Sequence, residues 1–420
     1  MKKLLLILIL HVSLLFSPPP ETGKTDPNVR YVSINRYAGF FLNPDTYGFI
    51  FPAIKPGLLI INRSQRQSRP LFILTGSAIG YSINFLTWPI RQQITNFYRK
   101  FWRGTYSEKQ ILLIGDFYLG YLLVNLLILW IALYLFEKIF FDSRNAGPKG
   151  RNCYKYFPMI FIASNPVTKA FFWTVHQQMF ALLTPILCVY ILYRFYRITV
   201  AVSYMKMLGF FLAAGLLLLM YGNFILLLPV LLICFIRNLK EYKSFKQWPG
   251  ALMKASGLIM AFFLPTILWI GILKGYGVSY YNFEMQEYHQ VIWIPEALNH
   301  SVSLFLTQLR ENTLEYFQTM RQLLILMFFS LIIFAYSKFD IPWGNRFLRG
   351  VLFIIFYFFL FYWLLGFYEA RLTNTLIPLI VCFWLAGLQQ RIREKKMIFI
   401  LSSLALVWHS YVLFSYGPFS

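Results

Sequence analysis

Five arginines fall between residues 30 and 69: Arg30, Arg36, Arg63, Arg66 and Arg69. A guanidinium is a planar fork that gives bidentate, charge-assisted hydrogen bonds, so such a cluster suits a phosphate. It suits anionic lipid headgroups equally well. Within the same stretch, Asn43-Pro44-Asp45-Thr46-Tyr47 offers a carboxylate. An Asp after Asn-Pro is also a natural turn or helix-capping residue. Other reactive types are sparse. The four cysteines (Cys153, Cys188, Cys234, Cys382) show no CxxC spacing, and three lie in apolar runs, where they read as small hydrophobes. The five histidines are dispersed, with no HExxH and no pair at i, i+4. His176 stands between apolar runs, where a lone imidazole serves as a hydrogen-bonding residue or orients a ligand.

The elements that must carry these residues are apolar helices. Of 420 residues, 58% are hydrophobic and only 13% charged, against about 25% charged in an ordinary soluble chain. A bilayer core needs spans of about 20 apolar residues, and the sequence has many such runs: Leu4–Phe16, Ile111–Phe136, Phe180–Tyr193, Met207–Ile236, Ala251–Leu273, Leu323–Tyr336, Val351–Gly366, Leu372–Leu388 and Met397–Phe414. The expected fold is an all-α polytopic membrane protein, one domain over 1–420, with about ten or eleven transmembrane helices. The N-terminal run reads as an uncleaved first helix or a signal peptide. The net charge of +23 fits the positive-inside rule and not nucleic-acid binding.

Counting Lys and Arg between runs sets the threading. With Leu71–Ile90 lying on the membrane surface, the basic loops Lys138–Lys155, Arg194–Lys206, Arg237–Lys246, Lys338–Arg349 and Arg391–Lys396 all become cytoplasmic. The polar content of Leu71–Ile90 (Thr75, Ser77, Tyr81, Ser82, Asn84, Thr87) agrees with that placement. Both flanks of Met207–Ile236 are then inside, so the run should turn as a hairpin near Tyr221-Gly222-Asn223. A single tilted helix is the alternative. Two large external segments remain, 17–110 and 275–321. The first holds twelve Lys/Arg and four Asp/Glu, the wrong sign for an outside loop unless it has an anion to hold. The second is aromatic and polar, with Tyr280, Tyr281, Glu284, Tyr288 and Trp293.

This layout resembles the multi-pass glycosyltransferases of the GT-C type, the class that contains protein O-mannosyltransferases and bacterial lipid-A aminoarabinose transferases. Asp45, Tyr47, Ala53 and Arg69-Pro70-Leu71 stand where those proteins carry their first-loop motifs. Ala163-Ser164-Asn165-Pro166, Gly215–Pro229 and Tyr368-Glu369-Ala370-Arg371 to Pro378 resemble later elements. The resemblance implies inverting transfer of a sugar from a polyprenyl-phosphate donor to a lipid, glycan or protein acceptor on the external face of a bacterial cytoplasmic membrane. Asp45 would be the general base, and Arg36, Arg69, His176, Glu369 and Arg371 would bind substrate. The family often has a pair of acids where this chain has Asp45-Thr46, and some members carry a second external acid near the place of His176-Gln177. Hard cations want several carboxylate oxygens, so no metal cofactor is expected. The competing readings are an O-antigen ligase or polymerase-like envelope enzyme and a transporter. Ligases usually concentrate external arginines in one late loop, and transporters place ionisable groups at mid-bilayer. Neither pattern is prominent here.

Overall fold

Helix starts fall where side chains satisfy the free backbone N–H groups. Ser107 accepts from the Gln110 N–H while the Gln110 side chain accepts from the Ser107 N–H, a reciprocal cap that opens α5 (Glu108–Phe140). Asn165 and Thr168 form the same arrangement before α7 (Pro166–Phe171). The computed structural model describes residues 2–16, 30–43, 45–101, 107–141, 152–197, 202–238, 248–337 and 342–415. Expectations for the segments 17–29, 142–151 and 239–247 lie outside the described residues.

The chain opens with α1 (Lys2–Leu15), a hairpin of β1 (Arg30–Asn35) and β2 (Ala38–Leu42), then α2 (Asp45–Ile54), α3 (Pro70–Thr87) and α4 (Arg91–Phe101). The central spine, α5, packs against α1, α2, α3, α4, α6 (Tyr156–Ala163) and α8 (Phe180–Arg197). Next come α9 (Tyr204–Leu218), α10 (Leu227–Asn238) and α11 (Trp248–Gly275), with α9 against α11. The segment after α11 holds α12 (Phe283–Glu287), α13 (Trp293–His300) and α14 (Val302–Thr319), and α15 (Arg321–Tyr336) follows a 64° bend. The last group is α16 (Arg346–Leu364), α17 (Ala370–Thr373), α18 (Ile377–Leu388) and α19 (Lys395–Phe414), with α18 packed between α8, α16 and α6.

An all-α chain with several membrane-length helices is what the composition led us to expect. Their number is smaller. Among the described residues seven helical segments are long and apolar enough to cross a membrane, or eight if the bent pair α14–α15 counts as one. Apolar runs overcount because several fold as short helices: α1 has 14 residues, α9 has 15 and α10 has 12. The run Met207–Ile236 is indeed broken, with Tyr221 extended between α9 and α10. Leu71–Ile90 differs from its expected character. It belongs to the continuous segment Pro70–Arg99, which has the length and hydropathy of a span. Two of its polar residues, Asn84 and Thr87, turn towards α5, while Tyr81 and Ser82 stay exposed. Asn84 and Thr87 donate to Asp116 on α5, at 2.7 and 3.2 Å, and Tyr98 of α4 donates to the same carboxylate at 3.1 Å. Gly80 and Gly120 let α3 and α5 cross closely. A Cβ on Gly120 would lie 3.2 Å from the Gly80 nitrogen.

Candidate functional site

Asp45 is the first residue of α2, and the cap before it is made by another side chain. Asn43 Oδ1 accepts the Asp45 N–H at 2.8 Å, and the Asn43 N–H donates to Thr174 at 3.1 Å. The local turn is therefore built without the Asp45 carboxylate, which is left to face other partners. Oδ1 accepts from Arg66 Nη2 at 2.6 Å, and Oδ2 lies 3.4 Å from His176 Nε2. Arg66 is buried, with its guanidinium 4.1 Å above the Phe49 ring. Its Nε has no hydrogen-bond partner among the described residues.

Arg69 is delivered by the start of α3. Pro70 occupies the first helical position, where its missing N–H costs nothing. The Leu71 N–H donates to the Leu219 carbonyl at 3.2 Å, which ties this start to the end of α9. The Arg69 guanidinium lies 5.6 Å from the Tyr221 ring and pairs with Glu284 of α12 at 2.8 Å. Gln67 knits the same loop together: it is fully buried, donates to the carbonyls of Leu59 and Ile61, and accepts the Tyr281 N–H.

His176 sits between the Phe171 and Phe49 rings, 4.8 and 5.6 Å away. Its Nδ1 accepts the Gln178 N–H at 3.0 Å. A neutral imidazole with Nδ1 as acceptor carries its proton on Nε2, so His176 donates to Asp45. Burial pushes the imidazole down to about 4, against the opposing pull of Asp45, so the ring is neutral at pH 7. Burial alone would raise the Asp45 carboxyl. The His176 hydrogen bond and the charges of Arg66 and Arg371 outweigh it and hold the group well below the usual carboxylate range.

Arg371 comes from α17, and Glu369 just before that helix pairs with it, Oε1 accepting from Nη2 at 2.9 Å. The Arg371 carbonyl accepts from Gln178, whose Oε1 accepts from Tyr221. Asn223 donates to Tyr221 and Tyr362 at 3.0 and 2.7 Å. The break between α9 and α10 thus supplies the polar floor.

Asp45, Arg69, His176 and Arg371, expected from sequence, line one cavity together with Arg66, Gln178, Tyr221, Asn223, Glu284 and Tyr288. Two expected residues stand apart. Arg36 is on the exposed turn of the β-hairpin, over the Tyr37 ring, and Glu369 reaches the site only through Arg371. Arg66 was visible only as one of five arginines, and the Tyr221 turn only as a helix break. Nothing in the linear sequence joins Glu284 to Arg69. Among the described residues no three His, Cys, Asp or Glu side chains converge as a metal ligand set. The arrangement presents three guanidinium groups, the carboxylates of Asp45 and Glu284, and a neutral imidazole that steers Asp45. That chemistry suits an anion next to a proton acceptor. Compared with known protein families, characterised proteins and solved structures, the chain matches none.

Proposed function

We propose that this chain is a membrane glycosyltransferase of the GT-C type. In this reading it moves a sugar from a polyprenyl-phosphate donor to a hydroxyl or amine acceptor on the external face, with inversion. The observation that carries the reading is the meeting of Asp45, Arg69, His176 and Arg371 in one cavity, since these residues come from four separate parts of the chain. The acceptor atom attacks the anomeric carbon opposite the phosphate, and the bond from that carbon to the phosphate oxygen breaks. The electron pair leaves with the lipid phosphate. Asp45 takes the acceptor's proton, a general-base role typically worth about 10²–10⁴-fold. Arg66, Arg69 and Arg371 stabilise charge developing on the phosphate.

The depressed Asp45 carboxyl is a weak base while Arg66 holds it. A phosphate arriving beside Arg66, whose buried Nε still wants an acceptor, would draw the guanidinium charge away and let the carboxyl rise. His176, with Nδ1 committed to the backbone, cannot take the proton. It is a positioning residue that aims Asp45.

Helix length supports an external site. α5 has 33 residues, about 50 Å at 1.5 Å per residue, whereas a hydrocarbon core is about 30 Å thick. In the threading that puts the five later basic loops inside, its far end, where Lys3 and Lys155 both meet Glu137, is the cytoplasmic one. Roughly 20 residues back from Phe140 brings the helix to Tyr121. That is the level of the cavity floor, since Tyr118 donates to the Trp173 carbonyl and Asn125 to that of Thr174. The stretch Glu108–Gly120 then projects beyond the bilayer, and α3 and α4 pack on it through Gly115, Asp116, Phe117 and Gly120. Both helices belong outside on this argument, despite their span-like length.

The test is donor dependence. Arg69→Ala and Arg371→Ala each remove a charge-assisted bond of about 1.5–3 kcal/mol, so kcat/KM for a polyprenyl-phosphate sugar should fall about 10- to 150-fold. Lysine at either place should rescue partly, because an ammonium lacks the fork. Unchanged donor dependence in both alanine variants would remove the phosphate assignment.

A further inference from the structure

Residues 278–292 put Phe283, Glu284, Tyr288 and Gln290 into the lining of the cavity. The Tyr281 N–H donates to Gln67 Oε1 at 2.6 Å at one end of the segment, and the Val291 N–H donates to the Leu365 carbonyl at 2.9 Å at the other. Between these anchors α12 turns Glu284 inward. One carboxylate oxygen is 2.8 Å from Arg69 Nη2, and the other lies 3.4 Å from Ser68 Oγ. The Glu284 side chain is only 16% exposed.

Each guanidinium at the cavity is matched by one of the chain's own carboxylates: Arg66 by Asp45, Arg69 by Glu284 and Arg371 by Glu369. Asp45 is fixed in the first turn of α2, and Glu369 is two residues from its partner. Glu284 alone comes from a separate strap. That strap is strained, since His289 and Val291 have φ of 49° and 65°. Neither is a glycine, and a β-branched residue in that region is an outlier. Such strain gathers at ligand clamps and switch segments. Tyr288 of the same strap stacks on Phe367 at 4.3 Å, and both rings line the cavity.

Carboxylate and phosphate oxygens are alternative acceptors for the same guanidinium fork. We infer that Glu284 is a built-in substitute for the donor's phosphate: it holds Arg69 until a lipid-linked phosphate displaces it, and its release frees the strap from the cavity. The inference rests on the phosphate reading of the arginines. It separates Glu284 from the working residues, because neutralising a competitor tightens binding, whereas neutralising a ligand-binding or proton-transferring group weakens function.

The experiment titrates farnesyl phosphate, a short prenyl phosphate, into the full chain in phosphatidylcholine nanodiscs, with inorganic phosphate in parallel. Glu284→Gln should bind farnesyl phosphate about tenfold or more tightly than the unmodified chain. The gain should vanish in an Arg69→Ala background, since the competition runs through Arg69. Amides of residues 282–290 in the unmodified chain should exchange faster once the probe is bound. Equal or weaker binding by Glu284→Gln, with normal binding by the unmodified chain, overturns the inference. So does a gain that persists without Arg69. Inorganic phosphate binding as tightly as the prenyl phosphate would overturn the lipid-linked part. No binding by any of these proteins would overturn the inference and the phosphate reading together. If instead Glu284→Gln tightens binding while Asp45→Asn transfers sugar normally, the displacement stands and the assignment of the base falls.

Discussion

Asp45 and Arg66 form an unequal pair, and the inequality fixes the order in which their variants lose stability. The Arg66 side chain is 5% exposed and that of Asp45 33%. Asp45→Asn strands a guanidinium with little access to water. Breaking a buried pair this way costs about 3–5 kcal/mol. The Phe49 ring beneath Arg66 and the nearby Glu284 keep the loss near the lower end, at about 3 kcal/mol. Arg66→Met leaves a carboxylate that still receives the His176 proton and reaches solvent, so the loss should be about 1–2 kcal/mol. The double variant has no stranded charge, and its methionine can pack on Phe49. It should lose only about 1 kcal/mol, less than Asp45→Asn alone. Equilibrium unfolding in mild detergent, followed by far-ultraviolet circular dichroism and tryptophan fluorescence, measures all four corners. If the two losses add within about 0.5 kcal/mol, or if the double variant is the least stable, the pair is not the buried lock described here.

Two further outcomes can be measured, the first from the threading of the basic loops and the second from the burial of His176. A cysteine placed at Gly104 should be labelled by a membrane-impermeant reagent from outside and one at Gly147 should not; the reverse at Gly104 would make Pro70–Arg99 a true span. His176 titrates at about 4 when folded against 6.5 as a free side chain, so the unfolded chain binds the extra proton between those values. Its contribution is complete above pH 6.5 and is lost as the pH falls towards 4, by roughly 3 kcal/mol over the full offset. His176→Gln should abolish that part of the slope, and an unchanged slope would mean that the imidazole is not buried as described.

The apolar runs made the helices readable, and Tyr221-Gly222-Asn223 marked the break that became the floor of the site. Helix number was less readable. Hydropathy cannot tell a run that crosses a bilayer from one that folds as the 12 residues of α10 or the 14 of α1. α3 shows the converse: of the polar residues counted against it, Asn84 and Thr87 are spent on Asp116, and Thr75 and Ser82 on carbonyls of their own helix. Within the site, Asp45 and Arg69 could be picked out by the motifs around them, and Pro70 does hold the chain at the start of α3. Arg66 could not, because five arginines in one loop look alike until one of them is buried under Phe49. Arg36 has the same charge but sits on the turn of a hairpin whose short strands leave little pattern. Glu284 meets Arg69 only through the fold of the late loop, and local sequence holds no trace of such a contact.

The central claim is that Asp45 takes a proton during sugar transfer. Asp45→Asn preserves shape and one of the two accepting oxygens but removes the basic carboxylate. The decisive measurement is single-turnover transfer from a saturating polyprenyl-phosphate sugar by this variant, purified as a monodisperse folded protein and compared with the unmodified chain. The expected rate is lower by about 10²–10⁴-fold, with donor still bound. A rate near that of the unmodified chain would contradict the account.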